Sequence, residues 1–277
     1  MSLIEAAVQK ARKLGNAVAA KAPPQQAQAA RHTPAPDAAF VAARTAQARK
    51  LRMASVDEPT MEWHGVMLGK MDASAQRAYR ILRTRVQQRM QAQGWYSVAV
   101  TAAGEGEGKT LTAINLALAL TRDVDTWACV VDLDLQRPRL ASYLGMTFDR
   151  GISDFLAGKA ELEDIVYSIG VERLAVIPND HAVDHSSDAL ASPRMHELYR
   201  ALAAEQPRPI VIYDLPPLLL SDDVIKIAPF VDCSLLVVSE GMTSRSNLEH
   251  TKELLHDMNL LGVVLNRSSV RVESGYY

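Results

Sequence analysis

Only two cysteines, Cys129 and Cys233, occur in 277 residues. Both sit inside apolar runs, so they read as core residues of a reducing compartment, and a disulfide framework is excluded. No run approaches the roughly 20 apolar residues that cross a bilayer, which excludes a membrane-spanning helix. The N-terminus lacks the apolar core of a signal peptide, so the whole chain is expected in the cytoplasm. There is no internal repeat, which excludes a solenoid or array. The net charge of −2 shows no overall bias of sign, and no nucleic-acid partner is expected.

What is present is unevenly distributed. With 48% hydrophobic and 22% charged residues, the chain is long enough for one substantial domain and an appendage. Up to Ser55 there are nine lysines and arginines against Glu5 and Asp37, which leaves +7 on this arm and −9 on the rest. Charge alone does not choose between anionic lipid, nucleic acid and an acidic partner loop. Ser2 and Glu5 fit a capping box, and Leu3, Ile4, Ala7, Val8, Ala11 and Leu14 share one helical face, predicting an amphipathic helix over 1–14. It suits docking on a membrane protein or on the chain's own core. Residues 15–60 are rich in Ala, Pro and Gln and read as a mostly disordered linker. Residues 61–266 form the expected domain, and 267–277 a tail.

Within the domain, DASAQRAYRILRTRVQQRMQA reads as a helix with Tyr79, Leu82, Val86 and Met90 on one face. Its arginines, Arg77, Arg80, Arg83, Arg85 and Arg89, lie largely elsewhere, as a solvated face or a subunit contact. Apolar strands near 97, 128, 174, 210, 234 and 261 then alternate with helical segments. That order predicts an α/β fold with a mainly parallel sheet covered on both faces.

Residues 97–120, SVAVTAAGEGEGKTLTAINLALAL, read as a buried strand, a glycine-rich turn and a helix. Gly104, Gly106 and Gly108 let the backbone wrap an anion with N–H groups turned inward, and the helix N-terminus adds its positive end. Lys109 is placed to reach β and γ phosphates, and Thr110 to offer its hydroxyl to magnesium. The strict spacing asks for glycine at 103, where the chain has Ala103, so the loop is a variant. The candidate nucleotide-binding set is Gly104, Glu105, Gly106, Glu107, Gly108, Lys109, Thr110 and Leu111. The alternative is a glycine-rich turn that binds nothing.

Two more strands carry acids. CVVDLDLQRP ends in Asp132 and Asp134, on one side of the chain by strand alternation, and IVIYDLPP ends in Asp214. A single strand-end aspartate serves equally well as a helix cap or turn former. Ligands of open parallel sheets bind outside the carboxyl ends of the strands, where the loop and these three aspartates are expected to meet. Thr110, Asp132 and Asp214 are the candidate magnesium ligands, and Lys109, Asp132 and Asp134 the candidate catalytic groups.

The loop, DLDLQRP and YDLPP together resemble the Walker A, Walker A-prime and Walker B motifs of the bacterial tyrosine kinases of exopolysaccharide synthesis. GISDFLAGKAELEDIV, DALASPRM and the run from Val231 to Ser269 extend the likeness, so it covers about Tyr79 to Asn266. The opening MSLIEAAVQKARKLG resembles the start of the autokinases encoded with exosortase-linked polysaccharide systems. The resemblance implies a P-loop NTPase fold and an ATP- and Mg²⁺-dependent tyrosine autokinase that regulates polysaccharide chain length and export. It also implies a homo-oligomer, activated by an inner-membrane polysaccharide chain-length regulator and recruited to the membrane's inner face. It favours Asp132 over Asp134 as the base and places Asn266 against adenine, although a strand-ending turn asparagine reads equally well.

Several positions depart from that pattern. Arg77 stands where these kinases often have the glutamate of a subunit-contact helix, and Gln136 replaces a common arginine. The tyrosine-rich tail is reduced to Tyr276 and Tyr277, the expected phosphoacceptors. At roughly 3.3 to 3.6 Å per residue, the eleven positions after Asn266 extend about 35 to 40 Å, enough to reach a neighbouring subunit. A nucleotide-binding pseudokinase that docks on the regulator is one alternative. Another is an ATPase switch of the plasmid- and division-positioning kind, although Gly104 occupies the place of the signature lysine of those proteins.

Overall fold

The computed structural model describes residues 51–68 and 72–269, all in one compact unit. The expected 1–14 helix, the linker as far as residue 50 and the two tail tyrosines lie outside the described residues.

In chain order the elements are β1 (Arg52–Met53), α1 (Glu58–His64), α2 (Ala73–Gln93), β2 (Ser97–Ala102), α3 (Lys109–Leu120), β3 (Ala128–Asp132), α4 (Leu140–Leu144), α5 (Ile152–Leu156) and α6 (Leu162–Ile165). There follow β4 (Tyr167–Ser168), β5 (Leu174–Ile177), α7 (Ser186–Leu190), α8 (Pro193–Ala204), β6 (Ile210–Asp214), α9 (Asp223–Ile227), β7 (Cys233–Ser239), α10 (Arg245–Leu254) and β8 (Leu260–Asn266). The sheet order is β1-β4-β5-β3-β6-β2-β7-β8. Every pair is parallel except β4 with β5.

The strands are near-continuous apolar runs because both faces of the sheet are covered. Alternation sends Val98, Val100, Val130, Ile212, Leu235 and Val237 into one core, and Ala99, Cys129, Val131, Val211, Tyr213 and Leu236 into the other. Burying each such valine or leucine is worth roughly 1.5–3 kcal/mol relative to exposure. Helix α3 is apolar on nearly every side, and ten of its residues are buried, since it is enclosed between the sheet and its neighbours. Helix α2 contributes Val86 and Met90 to the core, with Tyr79 and Leu82 packed alongside, as its pattern predicts. Arg83 and Arg89 donate to the carbonyls of Ala119 and Leu261. Arg77, Arg80 and Arg85 are exposed.

The linker expected over 15–60 ends earlier than residue 60. Arg52 and Met53 pair with Tyr167 and Ser168, Ser55 bridges Thr147, and α1 starts at Glu58. The local composition hides this because a two-residue strand carries no periodicity. Asp57 caps α1 by accepting from the Thr60 amide at 2.9 Å, and Gly65 closes it in the left-handed region at φ 78°. Met61, Val66 and Met67 are then buried in the same core as α2 and α3. Residues 52–67 thus form a strap across α4 and α3.

Candidate active site

The glycine-rich loop joins β2 to α3, as read from the sequence. Gly106 and Gly108 take φ of 72° and 93°, a left-handed backbone that disfavours any Cβ. At Gly108 a Cβ would also meet the Asn266 amide nitrogen at 2.1 Å. Gly108 forms the N-cap of α3, so Lys109 and Thr110 open the helix where its amides are free of intrahelical partners.

Lys109 stands at the centre of the charges. Its ammonium lies 2.7 Å from Asp134 Oδ2 and 3.6 Å from Asp214 Oδ1, with the side chain 14% exposed. Burial pulls its pKa down, but Asp214, Asp134 and Asp132 outweigh that and raise it, so the ammonium stays charged. Asp132 is fully buried. Its Oδ2 accepts from the Arg139 and Leu140 amides at 3.1 and 2.9 Å, and its Oδ1 from the Asp134 amide at 3.2 Å. Burial and then the Asp214 charge push the Asp132 carboxyl well above the ordinary range, against the opposing Leu140 amide and Lys109.

Asp214 is different. It is fully buried, and neither oxygen accepts a hydrogen bond. Burial raises its pKa; Lys109 and Thr110 oppose this without cancelling it. A buried acceptor without donors costs about 1–3 kcal/mol, more when charged, so this arrangement stores a demand for a cation or for water held by one. Asp132, Asp214 and Thr110 are oxygen donors of the kind magnesium takes; among the described residues no three acidic, histidine or cysteine side chains are grouped to hold an ion by themselves, so the donor set suits an ion that draws its other ligands from phosphate and water.

The structure brings the candidate loop, Lys109, Thr110 and all three aspartates to one end of the sheet, but it gives some side chains other work. Glu107 is turned inward, where Oε2 accepts from the Ala103 amide at 3.0 Å and Oε1 from the Thr243 hydroxyl at 2.6 Å. It braces the loop, leaving its backbone to a ligand. Glu105 forms an ion pair with Arg137 across the mouth of the site. The Leu111 side chain packs on the core beside Gly65. Asn266 donates from Nδ2 to the Glu107 carbonyl at 2.8 Å, and its Oδ1 accepts from the Arg267 amide at 2.9 Å, so it supports the loop from behind.

Sequence reading missed Thr243, which no spacing links to a loop 136 residues earlier. It also missed what Gln136 does. Its Nε2 donates to the Ser186 and Ser221 hydroxyls, both at 3.1 Å, tying the turn after β3 to the starts of α7 and α9 beside a 460 Å³ pocket lined by residues 182–188.

No protein-family model matches the chain. Among individual proteins, tyrosine-protein kinase YwqD of Bacillus subtilis is 31% identical over 204 residues, 72% of this chain and 84% of its own length. Tyrosine-protein kinase etk of Escherichia coli is 28% identical over 205 residues, which span only 28% of that protein. The solved kinase domain of E. coli ETK superposes with a TM-score of 0.62 at 27% identity, covering 72% of this chain and 80% of the domain. The septum site-determining protein MinD from Pyrococcus horikoshii, solved with Mg-ADP, shares the fold at a TM-score of 0.52 and 22% identity, over 62% of this chain and 72% of its own. With 31% identity to YwqD over 84% of that protein and a sheet shared with the ETK kinase domain, the chain belongs to the bacterial tyrosine-protein kinase family.

Proposed function

We propose that this protein is an ATP-dependent tyrosine autokinase that regulates exopolysaccharide production, and that it modifies Tyr276 and Tyr277 of a neighbouring protomer. The observation that carries the reading is the buried Asp214 carboxylate, which accepts no hydrogen bond and has only the Lys109 ammonium 3.6 Å away, at the sheet end where the glycine-rich loop opens α3. Phosphoryl transfer asks mainly for positioning and charge neutralisation. The backbone of Gly104 to Thr110 holds the ATP phosphates, and Lys109 leaves Asp134 to neutralise charge on the transferred group. Thr110, Asp132 and Asp214 hold magnesium, directly or through water, and the ion supplies further neutralisation of the phosphates.

A tyrosine hydroxyl ordinarily titrates near about 10, so the acceptor needs a carboxylate to take its proton. Asp132 and Asp134 are both at hand. The raised pKa of Asp132 suits a base working near neutral pH, and the resemblance favours it too. Asn266 is assigned to adenine by resemblance alone; its present bonds to the loop give it a bracing role first.

The basic arm and the amphipathic helix expected over 1–14 suit an inner-membrane chain-length regulator as activator, and recruitment to the membrane follows from that partner. Assembly of protomers is part of the proposal, and it has to use contacts other than the usual glutamate, because Arg77 stands exposed at that position. The exosortase-linked subgroup is proposed on the opening residues. Incubation with labelled ATP and Mg²⁺, followed by peptide mapping, tests the reading: label belongs in the C-terminal peptide, and replacing both tyrosines by Phe removes it while nucleotide binding persists. ATP turnover with unlabelled protein would make the chain an ATPase switch instead.

A further inference from the structure

Asn115 lies on α3, six residues beyond Lys109, fully buried in the otherwise apolar run AINLALAL. Nothing in the chemistry above uses it. A buried amide is costly unless its hydrogen bonds are made, and here they run to the strap: Oδ1 accepts from the Met67 amide at 2.8 Å and Nδ2 donates to the Gly65 carbonyl at 3.0 Å. The helix that presents Lys109 and Thr110 is therefore fastened to residues 65–67.

The other end of the strap grips α4. The Asp57 amide donates to the Leu144 carbonyl at 3.3 Å. Gly145 approaches so closely that a Cβ there would lie 2.6 Å from Asp57 Cβ. The His64 ring stacks on Tyr143 with centroids 4.5 Å apart. The opposite end of α4 supplies the Leu140 amide, which with that of Arg139 holds Asp132. One continuous run of contacts thus joins α3 to the helix that seats the catalytic aspartate, by a route that bypasses the nucleotide loop.

We infer that Asn115 is a positioning residue, which through the strap of residues 57–67 keeps α4 in register with α3 and so keeps Asp132 aligned with Lys109 and Thr110. The inference rests on the kinase reading for its catalytic consequence. Its structural consequence stands by itself: loosening the strap loosens residues 139–144.

The test uses the full chain and three variants. Asn115→Leu keeps the volume and removes both strap bonds. Tyr143→Ala removes the ring stack on a half-buried residue and leaves the Asn115 bonds to the strap in place, and Tyr143→Phe retains the stack. Two readouts are taken, deuterium uptake by segment and kinetics of tyrosine labelling. In Asn115→Leu and Tyr143→Ala, uptake is expected to rise in 57–67 and in 139–144 together. The labelling kcat falls about tenfold while the KM for ATP changes less than about threefold, and Tyr143→Phe behaves as wild type.

Faster exchange in 57–67 with 139–144 still protected and kcat unchanged would overturn the inference. So would a raised KM at constant kcat, which would make Asn115 a support of nucleotide binding alone. If the wild-type protein labels no tyrosine, the kinase reading fails by itself, and coupled or uncoupled exchange still decides the positioning role. If Asn115→Leu does not fold, the Tyr143 pair decides it.

Discussion

Asp214 and Asp232 stand at opposite ends of one sheet and have opposite surroundings. Asp232, just before β7 at the amino ends of the strands, accepts three hydrogen bonds on one oxygen, from the Tyr96 amide at 2.8 Å and from the Ser97 amide and hydroxyl, both at 2.9 Å. Asp214, at the carboxyl end of β6, accepts none. Both are aspartates at strand ends, and either could have been a turn former. The difference teaches that a carboxylate whose acceptor sites are filled by its own backbone is finished as structure, whereas one buried without donors keeps its capacity for a ligand. Asp132 lies between the two cases, with three amides to orient it and a raised pKa that keeps it able to take a proton.

Variants can break this contrast. The largest effect is expected from Lys109→Met, which removes the cation shared by Asp134 and Asp214; nucleotide binding should be lost in calorimetry, and labelling should fall at least ~10²–10³-fold. Asp214→Asn comes next, with labelling reduced on the order of 10²-fold in the same assay. Its stability should move the other way. Burial raises the Asp214 pKa, so the folded state holds that proton more tightly than the unfolded state does, and ionisation at neutral pH costs stability. Thermal melts should therefore show Asp214→Asn more stable than wild type at neutral pH. That advantage should fade as the pH falls through the raised carboxyl pKa and wild-type Asp214 becomes neutral.

Asp232→Ala should invert the pattern, with a stability loss of about 1–3 kcal/mol from unpaired amides and ATP affinity unchanged in calorimetry. The smallest effect is expected from Glu107→Gln. One of its two accepted bonds survives, so denaturant melts should shift by about 1 kcal/mol, and ATP affinity should weaken without the loss of labelling seen for Lys109→Met. An Asp232 variant that abolished ATP binding, or an Asp214 variant that destabilised the fold at neutral pH, would erase the distinction between the two ends.

Much of this arrangement was legible in the sequence because it rests on local signals. Gly-Lys-Thr after an apolar strand, and aspartates closing two others, place their own backbones, and the six main strands announce themselves by apolar runs between helical segments. The two-residue strands β1 and β4 were hidden, because two residues carry no periodicity. The roles of side chains were read less well. Glu107, Leu111 and Asn266 sit in or behind the loop as expected, yet they face Thr243, the core and the Glu107 carbonyl, partners supplied by elements far along the chain. Asn115 carried one local sign, a polar residue in an apolar helix, but its partners at Gly65 and Met67 emerge only once the strap is folded across it.

The most direct test of the central claim is mass spectrometry of the purified full chain before and after incubation with ATP and Mg²⁺, with fragmentation of the C-terminal peptide. The account predicts phosphate on Tyr276 or Tyr277 that is absent from Lys109→Met protein. Folded wild-type protein that binds and turns over ATP yet gains no phosphate on any tyrosine would contradict it.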